Sequence, residues 1–151
     1  MLVSQILRSK GDLVFTARPD ETVGEVAGLL NTRKVGALVV LDAERVVGIV
    51  SERDIVRAVA EGGAEALSRP VSSCMTKDVL YAEPGETVDQ LLSRMTDRRI
   101  RHLPVVDRGG LVGIVSIGDI LKAQRDQYRG EVDTLQIQLL DDPSGPPTRG
   151  R

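Results

Sequence analysis

Cysteine, histidine and aromatic residues are nearly missing from this chain of 151 residues: it has one Cys, one His and no Trp, and its aromatics are Phe15, Tyr81 and Tyr128. Cys74, the lone thiol, cannot close an internal disulfide, and one His without a second Cys or His cannot build a zinc cluster. No metal site is expected, and a reducing compartment fits best. Three aromatics leave few platforms on which exposed bases could stack. An excess of one charge is missing too: 20 Lys and Arg against 22 Asp and Glu leave a net charge of −2, so nothing waits to neutralise a phosphate backbone. Nucleic acid is therefore not expected as a partner, supported only by local basic clusters such as Arg98-Arg99-Ile100-Arg101. No apolar run approaches the roughly 20 residues that span a bilayer, and Met1 to Lys10 lacks a basic segment followed by an apolar one. The expectation is a soluble, cytoplasmic protein with no membrane partner.

What the chain does contain is a repeat. At an offset of 65, Pro19 to Val56 aligns without a gap on Pro84 to Leu121, and 15 of those 38 positions are identical. Such self-similarity is an internal duplication. Its centre is Val47-Gly48-Ile49-Val50-Ser51 against Val112-Gly113-Ile114-Val115-Ser116, followed by Asp54-Ile55 against Asp119-Ile120. Upstream, Val3-Ser4 matches Val71-Ser72 at an offset of 68, so the first copy carries three extra residues around Lys10.

Each copy reads as strand-helix-strand-strand-helix, an α+β unit. Val23, Val26, Ala27 and Leu30, and again Val88, Leu91, Leu92 and Met95, recur at helical spacing behind the capping boxes Thr22-x-x-Glu25 and Thr87-x-x-Gln90. Two β-branched runs come next in each copy, Ala37 to Leu41 with Val46 to Val50 and Leu103 to Val106 with Leu111 to Val115, joined by polar turns. Short strands are expected at Leu13 to Thr16 and Val79 to Ala82, and a second helix after Ser51 and Ser116. Units of roughly 60 residues bury too little apolar surface alone, so the copies should pack about a pseudo-twofold axis as one domain. The organisation is then residues 1–66 as the first motif, 67–124 as the second, 125–140 as a C-terminal helical extension and 141–151 as a disordered tail rich in Pro and Gly. After Asp119 the chain continues through Leu121, Tyr128, Val132, Leu135 and Leu139 as a long amphipathic helix, interrupted by Gly130, whose apolar stripe needs a partner: its own chain or a second copy.

The chemistry sits in Gly-Ile-Val-Ser-x-x-Asp. As structure, Ser51 with Asp54 and Ser116 with Asp119 are helix caps, and an acid in the first turn suits the helix dipole. As function, a carboxylate at such a turn accepts two hydrogen bonds from a ribose cis-diol while helix amides favour an anion. Both readings are compatible with one turn. No nucleophile with a paired base is visible, so no catalytic residue is assigned and an enzyme is not expected.

These residues, with Arg99-Ile100-Arg101-His102-Leu103-Pro104-Val105-Val106-Asp107, resemble a tandem pair of cystathionine-β-synthase (CBS) domains, a Bateman module. The match runs from about Val3 to Gln124 and is similar to small bacterial stand-alone CBS-pair proteins. The resemblance implies a non-catalytic sensor binding an adenosine-containing ligand (AMP, ADP, ATP, NAD or S-adenosylmethionine) in two clefts, with no cofactor required and an unidentified target protein reading the bound state. It also implies that Asp54 and Asp119 grip ribose beside the hydroxyls of Ser51 and Ser116. Bases that begin the second strand reach phosphate across the pair; those positions are Arg101 and His102 in copy two but Gly36 and Ala37 in copy one. The cleft of Ser51 and Asp54 is therefore expected to be the better phosphate binder. Arg53 either approaches that phosphate or is solvated on the helix surface, and His102 is a phosphate donor or a satisfied structural residue. Cys74 occupies the repeat position of Ile6 and reads as a core residue. The family favours a homodimer; the alternative function is a structural or protein-interaction homodimer with empty clefts.

Overall fold

The computed structural model of the chain describes residues 1–11 and 14–141. Helices α2 (Val23–Arg33) and α4 (Val88–Arg98) open where the capping boxes predict. The Thr22 hydroxyl accepts from the Glu25 amide and the Glu25 carboxylate accepts from the Thr22 amide, and Thr87 and Gln90 repeat the exchange. Both helices end on a left-handed residue, Lys34 at φ 55° and Arg99 at φ 54°. A side chain there costs about 1 kcal/mol relative to glycine. Its return is a tight reversal that delivers the chain into β2 (Ala37–Asp42) and β4 (His102–Asp107). These pair antiparallel with β3 (Arg45–Ser51) and β5 (Gly110–Ser116), and a bulge falls at the same place in both hairpins, Val40/Leu41 and Val105/Val106.

The short leading strands are smaller than expected. Leu13 lies outside the described residues, and the first strand, β1, covers only Thr16–Ala17, parallel to β2; Val79 to Ala82 contributes a single parallel bridge from Ala82 to Val105. Pro19 and Pro84, two residues beyond Ala17 and Ala82, carry no amide with which to prolong either ladder.

One helix has no clear signal in the sequence: α1 (Val3–Lys10). Its apolar positions keep helical spacing, but an eight-residue segment gives too short a window to reveal a period. At the matching place in the second copy stands only a 3-10 turn, Val71–Ser73. The two leading segments are exchanged. Val3 and Ile6 join the core built on Val88, Leu91, Met95, Leu103 and Val115, whereas Val71, Cys74 and Met75 join the core built on Val26, Leu30, Leu38, Val40 and Val50. Backbone bonds seal both exchanges: Val3 N–H to Glu86 C=O and Val88 N–H to Met1 C=O on one side, Val71 N–H to Glu21 C=O and Val23 N–H to Arg69 C=O on the other. Each repeat completes the core of the other, which locks the pseudo-twofold pair into one α+β unit.

The last helix is the long one expected after Asp119, without the interruption expected at Gly130. α5 runs unbroken from Ile117 to Asp141, through Gly130, so residues 125–140 continue the second repeat's closing helix. One interior glycine costs about 1 kcal/mol against alanine, too little to end a helix of this length. Beyond Gln124 its apolar side chains are largely exposed, Tyr128 by 68% and Leu139 by 72%. The tail expected to be disordered lies, past Asp141, outside the described residues. Among the described residues no helix is long and apolar enough to cross a membrane.

Candidate functional site

Each hairpin ends on a serine that caps the next helix. Ser51 closes β3 and caps α3 (Glu52–Gly62): its hydroxyl accepts from the Asp54 amide at 3.3 Å, while Asp54 Oδ2 accepts from the Ser51 amide at 2.9 Å and hydroxyl at 3.1 Å. Ser116 and Asp119 repeat the reciprocal cap at the start of α5, at 3.1 and 2.9 Å. The first-turn amides of Glu52 and Ile117 donate to the carbonyls of Gly36 and Arg101, each at 3.0 Å, which ties every Ser-x-x-Asp turn to the start of its own repeat's second strand. Those two strand starts meet between the repeats. A Cβ on Gly36 would stand 3.2 Å from His102 Nε2, so glycine at 36 leaves room for the imidazole.

The first turn opens onto a cleft of about 600 Å³ whose opposite wall is Arg99, Ile100, Arg101 and His102 of the second repeat. Ser51, Asp54, Arg53, Gly36, Arg101 and His102, all singled out in the sequence, line it together. Ala37 does not: it is a buried strand residue paired with Ser51 across the hairpin. Ser116 and Asp119 belong to a separate turn. Sequence reasoning missed Arg57, Arg99, Ile49 and Thr76. Arg57 was findable, one helical turn beyond Asp54, but Thr76 arrives on the exchanged segment, for which adjacency in sequence gives no signal.

Asp54 is 6% exposed, and its two oxygens are used unequally. Oδ2 holds the cap, whereas among the described residues Oδ1 meets the Thr76 hydroxyl at 3.4 Å and the Arg57 guanidinium at 3.7 Å, contacts long enough to be replaced. The cleft it faces is lined by Arg53, Arg57, Arg99 and Arg101 and, among the described residues, by one further acid, Glu52. The arrangement suits a ligand that offers hydroxyls at its middle and negative charge at one end. His102 is neutral in this setting: burial pushes its pKa below the usual 6.5, and the nearby Lys10 and Arg101 charges push the same way against Asp119 and Glu52. Behind Asp54, Cys74 lines a smaller cavity of about 260 Å³. Burial and then the Asp54 charge raise its pKa, which keeps the thiol protonated and unreactive.

The second turn is engaged differently. Lys10, at the end of α1, donates to Asp119 Oδ2 at 2.7 Å and to the Ile114 carbonyl at 2.8 Å. Burial alone would raise the Asp119 pKa, but the Lys10 ammonium together with the Ser116 amide and hydroxyl outweighs it and holds the carboxyl below its ordinary value.

Two interlocked strand-helix-hairpin-helix repeats, each ending in a capped Ser-x-x-Asp turn at the junction between copies, define a class of paired-repeat modules. The chain belongs to the CBS-domain family, whose model matches residues 5–61 and again 71–126. It is 32% identical over 146 residues to the CBS domain-containing protein CBSX3, mitochondrial, of Arabidopsis thaliana, covering 91% of this chain and 71% of that protein. Among solved structures, the CBS-domain containing protein ATU1752 from Agrobacterium tumefaciens is 48% identical with a TM-score of 0.80, over 82% of this chain and 99% of that one. The CBS domain pair of protein MJ0100, solved in complex with 5′-methylthioadenosine and S-adenosyl-L-methionine, is 29% identical with a TM-score of 0.75, over 84% of this chain and 98% of that one.

Proposed function

We propose that the chain is a non-catalytic regulatory module that takes an adenosine-containing ligand (AMP, ADP, ATP, NAD or S-adenosylmethionine) between Ser51–Asp54 and Arg101–His102, and that a partner protein reads the bound state. The observation that carries this reading is the under-used Oδ1 of a buried Asp54, facing a cleft walled by both repeats. A ribose cis-diol would replace the long contacts to Thr76 and Arg57 with short, charge-assisted ones. Arg101, fixed through its carbonyl to the start of α5, offers a permanently charged fork to a phosphate on the far side. Because the cleft is shared, a ligand that bridges it alters the fit of one repeat on the other, which is the differential contact any regulatory readout requires. The adenosine compounds held by the MJ0100 pair support the ligand class. Exposed Val56 and Val59 on α3 and Leu121 on α5 support assembly with a second copy, for which light scattering at micromolar concentration should return a dimer mass.

Mass spectrometry of small molecules released from gently purified protein tests the ligand without a prior guess. In parallel, adenine nucleotides at millimolar concentration should raise the melting temperature more than guanine or cytosine nucleotides do. Equal responses to every triphosphate would show anion binding alone. A second reading, a structural homodimer with empty clefts, is favoured by one observation: both Ser-x-x-Asp caps are complete without any ligand. A melting temperature indifferent to every nucleotide would decide for it.

A further inference from the structure

We propose that Lys10 is a resident counter-ion that closes the second cleft, so that the two Ser-x-x-Asp turns differ in affinity for the same nucleoside; this rests on the proposed ligand class. The ammonium is delivered by a fixed support. α1 is anchored by buried Val3 and Ile6, and Leu7 lies so close to β5 that a Cβ on Gly113 would stand 2.5 Å from its Cδ2. The helix then ends with Lys10 Nζ held by Asp119 Oδ2 and the Ile114 carbonyl. The three residues by which the first copy exceeds the second fall at this point, so the lysine has no counterpart in the other repeat.

At the first turn the same scaffold recurs with a different tip. Met75 covers Gly48 as Leu7 covers Gly113, but the next residue, Thr76, presents a neutral hydroxyl to Asp54 at 3.4 Å. A diol entering the first cleft displaces a weak neutral contact. One entering the second must displace an ammonium at 2.7 Å that also leaves the Ile114 carbonyl behind. Gly36 and Ala37, the repeat positions of Arg101 and His102, offer no side-chain cation from the facing repeat to compensate.

In calorimetric titration with adenosine and with AMP, Asp54→Ala weakens the first cleft and brings the second turn into view. Adding Lys10→Met should tighten both ligands about five-fold, the equivalent of losing a partly exposed ion pair, and adding Asp119→Ala should abolish the gain. Asp54→Asn, which keeps an acceptor for the Ser51 amide, replaces Asp54→Ala if the latter lowers the melting point. If Lys10→Met binds neither ligand more tightly, or loses AMP alone as a phosphate contact would, the proposal is overturned while nucleotide binding stands. An intact chain that binds neither ligand removes the reading of the clefts and this proposal with it.

Discussion

The two Ser-x-x-Asp turns carry the same heptapeptide pattern, Gly-Ile-Val-Ser-x-x-Asp, and nearly the same cap geometry, yet their acids live in different surroundings. Asp54 meets a threonine hydroxyl in a cleft lined by arginines; Asp119 is held by a lysine. The divergence does not lie in the motif. It lies in the exchanged leading segments and at the start of the second strand, where a short insertion and two substitutions change what meets each carboxylate. A duplicated module thus becomes asymmetric through the pieces its copies lend each other.

The largest expected effect breaks the comparison at the acids. Asp54→Ala should weaken adenosine and AMP alike by about 10- to 100-fold in calorimetry, the loss of a charge-assisted pair of hydrogen bonds, whereas Asp119→Ala should barely move the total heat. Each substitution also removes a helix cap worth about 0.5–2 kcal/mol, so unfolding must be measured beside binding. An equal loss of affinity from both would show two equivalent clefts.

A smaller effect separates the scaffolds beneath the acids. A Cβ on Gly48 would meet Met75 Sδ at 2.5 Å and the Thr76 carbonyl oxygen at 3.0 Å, whereas on Gly113 its three nearest neighbours all belong to the Leu7 side chain. A side chain can turn away; a carbonyl bridged to Ile49 cannot. Gly48→Ala should therefore lose about 1–3 kcal/mol in urea unfolding and Gly113→Ala less than about 1 kcal/mol. Equal losses would show that α1 is held as rigidly as the segment at Met75.

Range along the chain decides how much of this was legible in the sequence. The caps at Thr22, Thr87, Ser51 and Ser116, and the four hairpin strands, depend on residues within a few positions of one another, so pattern alone located them. The clustering of Arg101 and His102 with Asp54 was reached through repeat symmetry and family resemblance, whereas Gly36, expected across from Asp119, lines the first cleft instead. α1, the part played by Thr76 and the contact of Lys10 with Asp119 were not legible. Each depends on a segment crossing to the other repeat, 22 residues away for Thr76 and 109 for Lys10. An offset that matches Val3 with Val71 shows equivalence but not exchange, because both arrangements share the same alignment.

Across the first cleft, Arg101→Ala should weaken AMP about 10-fold and leave adenosine nearly unchanged, since only AMP offers a phosphate to the guanidinium. The same substitution should have little influence at the second turn, which sharpens the comparison. Equal losses for nucleotide and nucleoside would make Arg101 a structural residue. Near neutral pH, His102→Ala should matter less than Arg101→Ala, because burial keeps the imidazole uncharged. The depressed pKa carries that difference below the ordinary imidazole range in the free chain.

The smallest effect concerns His102. Burial lowers its pKa below 6.5, and among nearby charges Asp119 and Glu52 pull it up while Lys10 and Arg101 push it down. In the unfolded chain it takes up a proton near pH 6.5, while in the folded chain it stays neutral until a lower pH. The unfolded state then binds more protons in that interval, so the contribution of His102 is fully present above about pH 6.5 and is lost as pH falls toward its folded value. Asp119, whose pKa is lowered from 3.8, also loses its contribution on acidification, but only below about pH 4. The two windows do not overlap in the upper part of the range. Urea midpoints between pH 7.5 and 5 should therefore decline modestly in the parent chain and more weakly in His102→Gln. Excess AMP should flatten the parent's decline, because a phosphate beside the ring favours its protonated form. A decline that His102→Gln leaves untouched would assign the acid sensitivity elsewhere, and one that AMP steepens would remove His102 from the phosphate wall of the first cleft.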